Sequence, residues 1–250
     1  MPDPTATRTT WPISGPAAFS AISEWDHVRR YAPMANVILH TYWRSSASHR
    51  VRIALGYKGI SYEPVFVNLL AGDQKKPEYK AKNPMGYLPT LVIDGNMYVE
   101  SVAILELLED LHPEPPLLPK KVEDRARVRA LVEFVNAGIQ PLQNLVVLEE
   151  LSEDKELRLS WLRHFIGRGL AAFEALVARY EDETGMKGPF AFGESFTMAD
   201  VLLVPQVYAA RRYGVDLGPC PRVVRAEGEA AKLPFVAAAH PEAQPDAAKS

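Results

Sequence analysis

The sequence predicts two folded parts, a small mixed α/β domain and an all-helical domain that follows it. Up to about residue 112, short apolar runs typical of strands alternate with runs of helical periodicity, in the order βαβ and then αββα. This order is typical of a small mixed sheet covered by helices. From about residue 123 onward the patterns are helical only. Between the two parts lies the run 112–119, in which four of eight residues are proline, so no helix can continue through it.

Each element of the first part is predicted from apolar alternation, turn residues or helix signals. Pro64 places its strand at an edge of the sheet, because proline lacks the N–H group that a central strand must donate. Asp94-Gly-Asn96 predicts a tight turn between the last two strands, and Ser101 is the predicted cap of the helix that follows. The predicted strands are 37–42, 62–67, 88–93 and 97–99, and the predicted helices are 46–57, 75–81 and 101–111.

The second part is predicted to be helical throughout. Its first helical pattern, 123–152, is interrupted near Gly138 and Pro141, where we expect a kink or a break. Thr197-Met-Ala-Asp200 is a capping box at the start of a helix, so we interpret Asp200 as a folding residue rather than a catalytic one. The other predicted helices are 155–181, 201–212 and 223–232, and the tail from residue 237 is expected to be frayed.

Composition excludes several classes of protein. The chain has 250 residues, of which 47% are hydrophobic and 24% charged, as is typical of globular domains. The net charge of −3 implies no broad basic surface for nucleic acid, and no apolar run approaches the roughly 20 residues that a membrane span needs. Cys220 is the only cysteine, which excludes internal disulfides and multi-cysteine metal sites. We therefore expect a cytoplasmic protein.

Residues 1–35 are predicted to be a disordered extension. The stretch 1–33 is rich in Pro, Thr, Ser and Ala, and it lacks the apolar segment of a secretory signal. Met34 would serve as a natural start, and a short docking helix over 19–31 is the alternative for this region. The predicted boundaries are 36–112 for the α/β domain, 113–121 for the linker, 122–240 for the helical domain and 241–250 for the tail.

The segment from Tyr42 to Leu55 carries the greatest density of reactive side chains. It joins a predicted strand to a predicted helix, and a helix start presents free N–H groups and the positive end of the helix dipole. A serine at such a position either caps the helix or holds a bound anion or thiolate. Its three serines and three arginines are Ser45, Ser46, Ser48, Arg44, Arg50 and Arg52.

An ordered set of motifs, taken together, resembles the zeta class of the glutathione transferase family. They are Ser45-Ser-Ala-Ser-His-Arg-Val-Arg-Ile-Ala-Leu55, Asn83-Pro-Met85, Gly138-Ile-Gln-Pro-Leu-Gln-Asn-Leu145, Thr197-Met-Ala-Asp-Val-Leu-Leu-Val-Pro-Gln206 and the tail pattern His240-Pro…Gln244-Pro-Asp246. The similarity covers about residues 36–246. It implies a thioredoxin-like N-terminal domain followed by a helical domain, glutathione as cofactor, and a homodimer.

The resemblance implies that Ser45 hydrogen-bonds the sulfur of glutathione. A hydroxyl donor beside a helix N-terminus favours thiolate over thiol. Ser46, the predicted helix cap, would also face the sulfur, with Ala47 beside it. Many class members carry cysteine where Ala47 stands, and alanine cannot form a mixed disulfide. This departure argues against reductive dehalogenation, which needs a protein thiol, and leaves isomerisation allowed.

Other contacts to glutathione are implied in the same way. Pro89 would be a cis-proline, and the backbone of Leu88 would pair with the cysteinyl part of glutathione. Ser101, at a helix start, would bind the γ-glutamyl carboxylate, and Glu100 the amino group. Without the resemblance, these residues could equally be a strand start and a helix start. The remaining implied contacts are Gln74, at the glycyl end of glutathione, and Gln140 and Asn144, whose i and i+4 spacing on a helix would let both point into one cleft.

The substrate is predicted from arginines. Maleyl compounds carry two carboxylates, which arginine binds with two parallel hydrogen bonds, and Arg44 and Arg212 match the family positions that would do so. Maleylpyruvate isomerases have a further arginine where Leu145 and Val146 stand, although Trp43-Arg44-Ser45 and Ser48-His49-Arg50 resemble that subgroup. His49 is expected to be an exposed first-turn residue.

The function implied by the resemblance is a glutathione-dependent cis–trans isomerase acting on maleylacetoacetate, as in tyrosine and phenylalanine breakdown. Sulfur adds to the cis double bond, the bond rotates, and an arginine stabilises the enolate charge. No metal is needed. Three alternatives stay open: a maleylpyruvate isomerase, a general transferase acting on electrophiles such as α-halo acids, and a non-catalytic binding protein of the same fold.

Overall fold

The computed structural model of the chain describes residues 36–247. The predicted extension, 1–35, and the alternative docking helix within it lie outside the described residues, as do the last three positions of the predicted tail. Among the described residues no single helix is long and apolar enough to cross a membrane. One bent pair, 122–143 with 145–151, passes that test by length and composition, with a bend of 44° between its parts.

A four-stranded mixed sheet forms the first part, in the order β2-β1-β3-β4. Strand β1 runs parallel to β2 and antiparallel to β3, and β3 and β4 form a hairpin. Pro64 lies in β2 at the edge of the sheet, as predicted, where its missing N–H leaves no central ladder bond unmade. The strands are β1 (Val37–Thr41), β2 (Glu63–Phe66), β3 (Thr90–Ile93) and β4 (Asn96–Val99).

Three α-helices belong with this sheet; the first and third begin where predicted but have different cap residues, and the second begins at Pro77 rather than at residue 75. The cap of the first helix is Ser45, whose side chain accepts the Ser48 N–H, so Ser46 is already inside the helix. The cap position of the third helix is Glu100, and Ser101 is its first residue. Ser45 thus occupies the cap position that the sequence assigned to Ser46, and Glu100 occupies the cap position assigned to Ser101. The helices are α1 (Ser46–Tyr57), α2 (Pro77–Lys80) and α3 (Ser101–Leu111).

The rest of the described chain is helical, which confirms the predicted fold class. The predicted break near Gly138 is confirmed, because α4 ends at Asn136 and α5 begins only at Leu145. The backbone is tight at this point, since a β-carbon at Gly138 would lie 2.6 Å from the Phe134 carbonyl oxygen. A 3₁₀ turn, Gln140–Gln143, follows. The helices are α4 (Val122–Asn136), α5 (Leu145–Leu151), α6 (Lys155–Thr184), α7 (Met198–Arg212), α8 (Pro221–Ala230) and α9 (Pro234–Ala239).

Helix α1 connects the sheet to the helical part, since it packs against α3, α7 and α9. Its residues from Ser48 to Leu55 are all buried. Just after its end, the Lys58 ammonium is buried against Glu109 at 2.7 Å and also donates to the His112 and Pro115 carbonyls. These bonds anchor the proline-rich connection to the α/β part. Losing one of them would leave a buried ammonium group incompletely hydrogen-bonded, which is costly.

Asp200 has the structural role that the capping box predicted. It is fully buried, and its carboxylate accepts the N–H groups of Ala191 and Thr197, both at 2.8 Å, and the Thr197 hydroxyl at 3.0 Å. Burial raises the pKa of Asp200 to about 6, although the hydrogen bonds act in the opposite direction. The carboxylate thus ties the loop before α7 to the first turn of that helix.

The substitution Asp200→Ala should lower the free energy of unfolding by about 3 kcal/mol, because it removes a helix cap and leaves buried N–H groups unpaired. Urea denaturation of both proteins measures the difference. Asp182→Ala, on an exposed face of α6, is the matched control and should change stability by less than about 0.5 kcal/mol. Equal effects of the two substitutions would contradict the structural role.

Candidate active site

A single cleft of about 920 Å³ collects the residues that the sequence singled out. Its walls come from the loop after β1, the start of α3, the segment between α4 and α5, and the second half of α7. All the predicted catalytic and glutathione-contacting positions line it: Arg44, Ser45, Ser46, Ala47, Gln74, Leu88, Pro89, Glu100, Ser101, Gln140, Asn144 and Arg212. Positions far apart in sequence therefore share one concave surface.

Ser45 combines two roles at the start of α1. Its backbone N–H donates to the Tyr42 carbonyl at 3.0 Å, closing a turn, and its hydroxyl oxygen accepts the Ser48 N–H at 3.2 Å. A hydroxyl that accepts one bond still has its own proton to donate. Ser45 can therefore cap the helix and donate into the cleft together. Ser46 and Ala47 follow in the first turn, where N–H groups have no partner within the helix.

The buried side chain of Arg52 anchors the loop that carries Ser45. This side chain is 2% exposed, and its guanidinium donates to the Thr41 hydroxyl at 3.0 Å, the Trp43 carbonyl at 3.0 Å and the Tyr42 carbonyl at 3.3 Å. It also reaches the Ala239 carbonyl at 3.2 Å. Burial lowers the pKa of Arg52 to about 10, so the group stays charged near neutral pH. The buried charge fixes these carbonyls around it.

The C-terminal tail also contacts this loop. The Trp43 N–H donates to the Asp246 carboxylate at 2.9 Å, across 203 residues of sequence. The tail is ordered as far as it is described, with a 3₁₀ turn at Pro241–Ala243 and Gln244 donating to the Ala238 and His240 carbonyls. The expectation of a frayed tail was therefore wrong over residues 237–246. Local sequence could not reveal the contact, because its partner is distant in the chain.

The start of α3 forms an anion-binding environment. Glu100 has a φ of +67°, a conformation that costs energy for a residue other than glycine. No side chain in the described part of the chain caps the first N–H groups of the helix. Beneath them lies Arg50, fully buried, whose guanidinium donates to the Ser101 hydroxyl at 3.1 Å and to Asn136 at 3.2 Å. Burial lowers its pKa to about 10. The positively charged guanidinium of Arg50 therefore lies next to the N-terminus of α3, which carries the positive end of the helix dipole.

Opposite this helix start, the loop before β3 carries the predicted cis bond. The peptide between Leu88 and Pro89 is cis. The loop is shaped by two donors to the Tyr87 carbonyl, the Tyr79 hydroxyl at 2.8 Å and the Asn83 side chain at 2.9 Å. Gly86 has a φ of +67°, and a β-carbon there would meet the Gln74 carbonyl at 2.8 Å, so this turn needs glycine.

Two predicted cleft residues are positioned differently from the expectation. The i and i+4 spacing placed Gln140 and Asn144 on one helix face, but the predicted interruption falls between them: Gln140 begins the 3₁₀ turn and Asn144 caps α5, accepting the Val146 N–H at 3.2 Å. Both still line the cleft. On the other side, Gln74 donates to the Leu69 carbonyl at 3.4 Å, while its own side-chain oxygen is buried and has no partner among residues 36–247.

Two arginines face the cleft with no carboxylate partner within the described part of the chain. Arg44 lies over the Trp43 ring at 4.8 Å, and Arg212 over the Tyr213 ring at 5.0 Å. Burial raises the pKa of Tyr208, and the charges of Arg212 and Arg44 act against this shift. Both guanidinium groups are therefore close enough to influence one phenol. Unpaired arginines in a cleft are suited to bind anions.

Several positions lie outside this cleft. His49, expected to be exposed, is 1% exposed and lines a different cavity. The Cys220 thiol is buried, and burial raises its pKa. Within residues 36–247, no three His, Cys, Asp or Glu side chains come together in a way that could hold a metal ion.

Sequence reasoning missed the residues that support the site. Arg50 and Arg52 were noted only as part of a charged segment, and Asn136, Tyr208 and Asp246 were assigned no role. A signal existed for the two arginines. They alternate with the apolar Val51 and Ile53 on a helix that follows a central strand and is buried from Ser48 to Leu55.

Comparison with known proteins agrees with this geometry. Residues 39–116 match the family model described as "Glutathione S-transferase, N-terminal domain". A Drosophila melanogaster relative, described as probable maleylacetoacetate isomerase 2, is 45% identical over 211 residues, which are 84% of this chain and 89% of the relative.

Two solved structures are also similar. The holo structure of a bacterial maleyl pyruvate isomerase, described as a zeta-class glutathione S-transferase, superposes with a TM-score of 0.80 at 39% identity, covering 84% of this chain and 99% of that one. Maleylacetoacetate isomerase from Anaeromyxobacter dehalogenans, crystallised with bound GSH, has a TM-score of 0.76 at 47% identity, with coverage of 85% and 98%.

Removing the tail contact should loosen the loop that carries Ser45. With Asp246→Ala, the Trp43 N–H should exchange with solvent at least about tenfold faster, because a bond to a charged acceptor is lost. Amide hydrogen exchange followed by NMR measures this. Asp246→Asn keeps an acceptor oxygen and should retain most of the protection, and Glu242→Ala, exposed in the same tail, should have no effect. Unchanged exchange in Asp246→Ala would show that the contact does not hold the loop.

Proposed function

Because the chain belongs to the zeta-class glutathione transferase family, which includes the maleylacetoacetate isomerases, we propose that it is a glutathione-dependent isomerase converting maleylacetoacetate to fumarylacetoacetate. One observation supports this most directly. The cleft that contains Ser45 at a helix start also contains two arginines without carboxylate partners, Arg44 and Arg212. The first feature suits a thiolate and the second suits a dicarboxylate substrate.

The residues of the cleft fit glutathione. Its γ-glutamyl carboxylate would be held by Ser101 and the uncapped N–H groups of α3, with the Arg50 charge behind them. Glu100 would accept from its amino group, and the Leu88 backbone, beside the cis bond, would pair with its cysteinyl part. Gln74 lines the same cleft, at the position that the resemblance assigns to the glycyl end of glutathione.

Bound glutathione supplies a thiolate nucleophile. The residues of the chain do the rest. The Ser45 hydroxyl donates toward the sulfur position, and the first-turn N–H groups of Ser46 and Ala47 add positive potential there, which favours the ionised form. Gln140 and Asn144 limit the cleft on the helical side and orient what binds next to the sulfur. Ala47 contributes no thiol, so the chain can form no mixed disulfide at this point.

The arginines select the substrate. Arg44 and Arg212 would bind the carboxylates of a maleyl compound and hold its double bond near the sulfur position. As charge moves onto the substrate oxygen during the reaction, a guanidinium group nearby stabilises it. Leu145 and Val146 border the same cleft and are both partly exposed. These two side chains make that edge of the cleft apolar, which suits the longer carbon chain of maleylacetoacetate better than the shorter chain of maleylpyruvate.

Maleylpyruvate isomerisation is the second candidate. The similarity to a solved maleyl pyruvate isomerase and the Trp43-Arg44-Ser45 sequence favour it. The apolar Leu145 and Val146, where an arginine would be expected for that substrate, count against it. An ultraviolet assay with each substrate, with and without glutathione, separates the two candidates. Faster glutathione-dependent conversion of maleylpyruvate would reverse our choice, and conversion of neither substrate would refute both.

Two further properties follow from family membership as proposals. We infer a homodimer, as is general for this fold, and a cytoplasmic location. Sedimentation of the purified protein tests the first, and fractionation of the source cells tests the second.

The substitution Ser45→Ala should lower kcat/KM by about 100-fold, because it removes a preorganised donor at the position of the sulfur. It should also raise the pKa of bound glutathione, which is measurable from thiolate absorbance in the ultraviolet. Ser160→Ala, exposed on α6, is the matched control and should leave both values unchanged. Full activity in Ser45→Ala would refute the serine assignment.

Replacing Arg212 with methionine should raise the KM for the maleyl substrate at least about tenfold, since a bond between charged groups is lost. The affinity for glutathione should stay the same. The neighbouring Arg211 pairs with Glu227 at 2.7 Å and does not line the cleft, so Arg211→Met should leave the KM unchanged. Equal effects at the two positions would show that Arg212 makes no specific contact with substrate.

A further inference from the structure

Tyr208 lies on the wall of the catalytic cleft that α7 forms. The residues of α7 that line this wall recur at three- and four-residue spacing, and they are Pro205, Tyr208, Ala209 and Arg212. Residues at this spacing share one face of a helix. Tyr208 therefore lies one turn before Arg212, the arginine that we expect to bind a substrate carboxylate.

The hydroxyl of Tyr208 is free to donate. It has no hydrogen-bond partner within residues 36–247, and it is not one of the buried polar atoms, so a ligand can reach it. Other polar groups of the cleft are already engaged. Gln143 exchanges hydrogen bonds with Gln206 at 3.1 and 3.2 Å, and Asn136 accepts from Arg50 at 3.2 Å. The fold thus leaves the phenol available as a donor.

The ring of Tyr208 is supported on the side of the C-terminal tail. His240 meets it edge-on, with ring centres 5.3 Å apart, and the His240 carbonyl accepts from Gln244 at 3.0 Å. Aromatic pairs in this geometry attract each other. A donor whose ring is supported by its neighbours is preorganised, as a group that acts on a developing charge must be.

The phenol is also close to both arginines that the cleft offers to a substrate. Burial raises the pKa of Tyr208, as does the charge of Glu242, whereas the charges of Arg212 and Arg44 act in the opposite direction. The net shift is upward, so the hydroxyl keeps its proton at neutral pH and donates. A substrate held by its carboxylates between Arg44 and Arg212 would lie within reach of this donor.

A maleyl substrate held in this way has one further polar group near its double bond. Maleylacetoacetate and maleylpyruvate both carry a ketone conjugated with the cis double bond. When one alkene carbon bonds to sulfur, the electron pair of the double bond moves onto the ketone oxygen. After rotation the pair returns and the bond to sulfur breaks. No proton is transferred in either direction, so the ketone oxygen needs a donor that keeps its own proton.

We propose that Tyr208 is a further catalytic residue, whose hydroxyl donates a hydrogen bond to the ketone oxygen of the substrate and stabilises the negative charge that develops there. Arg44 and Arg212 hold the ends of the substrate, and Tyr208 acts on the oxygen between them. This role of Tyr208 rests on the proposed function, and it is the same for either maleyl substrate.

The substitution Tyr208→Phe should lower kcat for the maleyl substrate about 100-fold, because one preorganised donor to the developing charge is lost. The ultraviolet absorbance of the bound glutathione thiolate should not change, since Ser45 provides the donor at the sulfur position. Tyr180→Phe, on α6 and outside the cleft lining, removes the same hydroxyl and should leave kcat unchanged. Full kcat in Tyr208→Phe would overturn the role of Tyr208 and leave the proposed function standing.

A binding comparison tests the same hydrogen bond without turnover. The probes are 4-oxooctanedioate and octanedioate, which have equal length and charge, lack a double bond and differ by one ketone. With glutathione present, calorimetry should show that the unmodified chain and Tyr180→Phe bind the keto diacid about fivefold more tightly than octanedioate. Tyr208→Phe should lose this preference and still bind octanedioate with the original affinity, which a general disruption of the cleft would not allow.

The outcomes separate the role of Tyr208 from the proposed function. A preference for the keto diacid that persists in Tyr208→Phe, or the absence of any preference or binding in the unmodified chain, would overturn the role of Tyr208. Failure of the unmodified chain to convert either maleyl substrate would refute the proposed function instead, and the binding comparison would still decide whether the hydroxyl contacts a ketone.

Discussion

Two buried guanidinium groups on one helix organise the site. Arg50 and Arg52 are among the largest fully buried side chains described, and within residues 36–247 neither forms an ion pair with a carboxylate, although the charges of Glu100 and Glu133 act on Arg50 and that of Asp246 on Arg52. A buried charge that makes no direct ion pair must be surrounded by oriented oxygen atoms, or it destabilises the fold by several kcal/mol, about 3–5 when a partner is removed. The protein meets this constraint with the carbonyls after β1 on one side and with Ser101 and Asn136 on the other.

This arrangement couples the two halves of the proposed glutathione site. Arg52 sets the turn that presents Ser45, and Arg50 lies beneath the helix start that presents Ser101. Because both arginines lie on α1, the distance between the sulfur position and the carboxylate position is set by one rigid element. The tail completes the first half through Asp246, so even the last described residues contribute to the geometry of the cleft.

Neighbouring arginines of α7 differ in whether a carboxylate pairs with them. Arg44 and Arg212 remain without carboxylate partners among the described residues, and so they are available to an anionic substrate. Arg211, next in the chain to Arg212, does not line the cleft and pairs with Glu227 at 2.7 Å. Neighbouring arginines on one helix therefore serve different surfaces, because the helical turn points them in different directions.

The sequence by itself determined the fold class, the edge position of Pro64, the break near Gly138 and Pro141, and part of the cleft lining, because these depend on local periodicity and on an ordered set of motifs. It did not determine which serine caps α1, the places of Asn136 and Tyr208 in the cleft, the burial of His49 or the contact of Asp246 with Trp43. Those depend on which distant surfaces meet. Burial and hydrogen-bond partners across 203 residues arise only once the chain is folded.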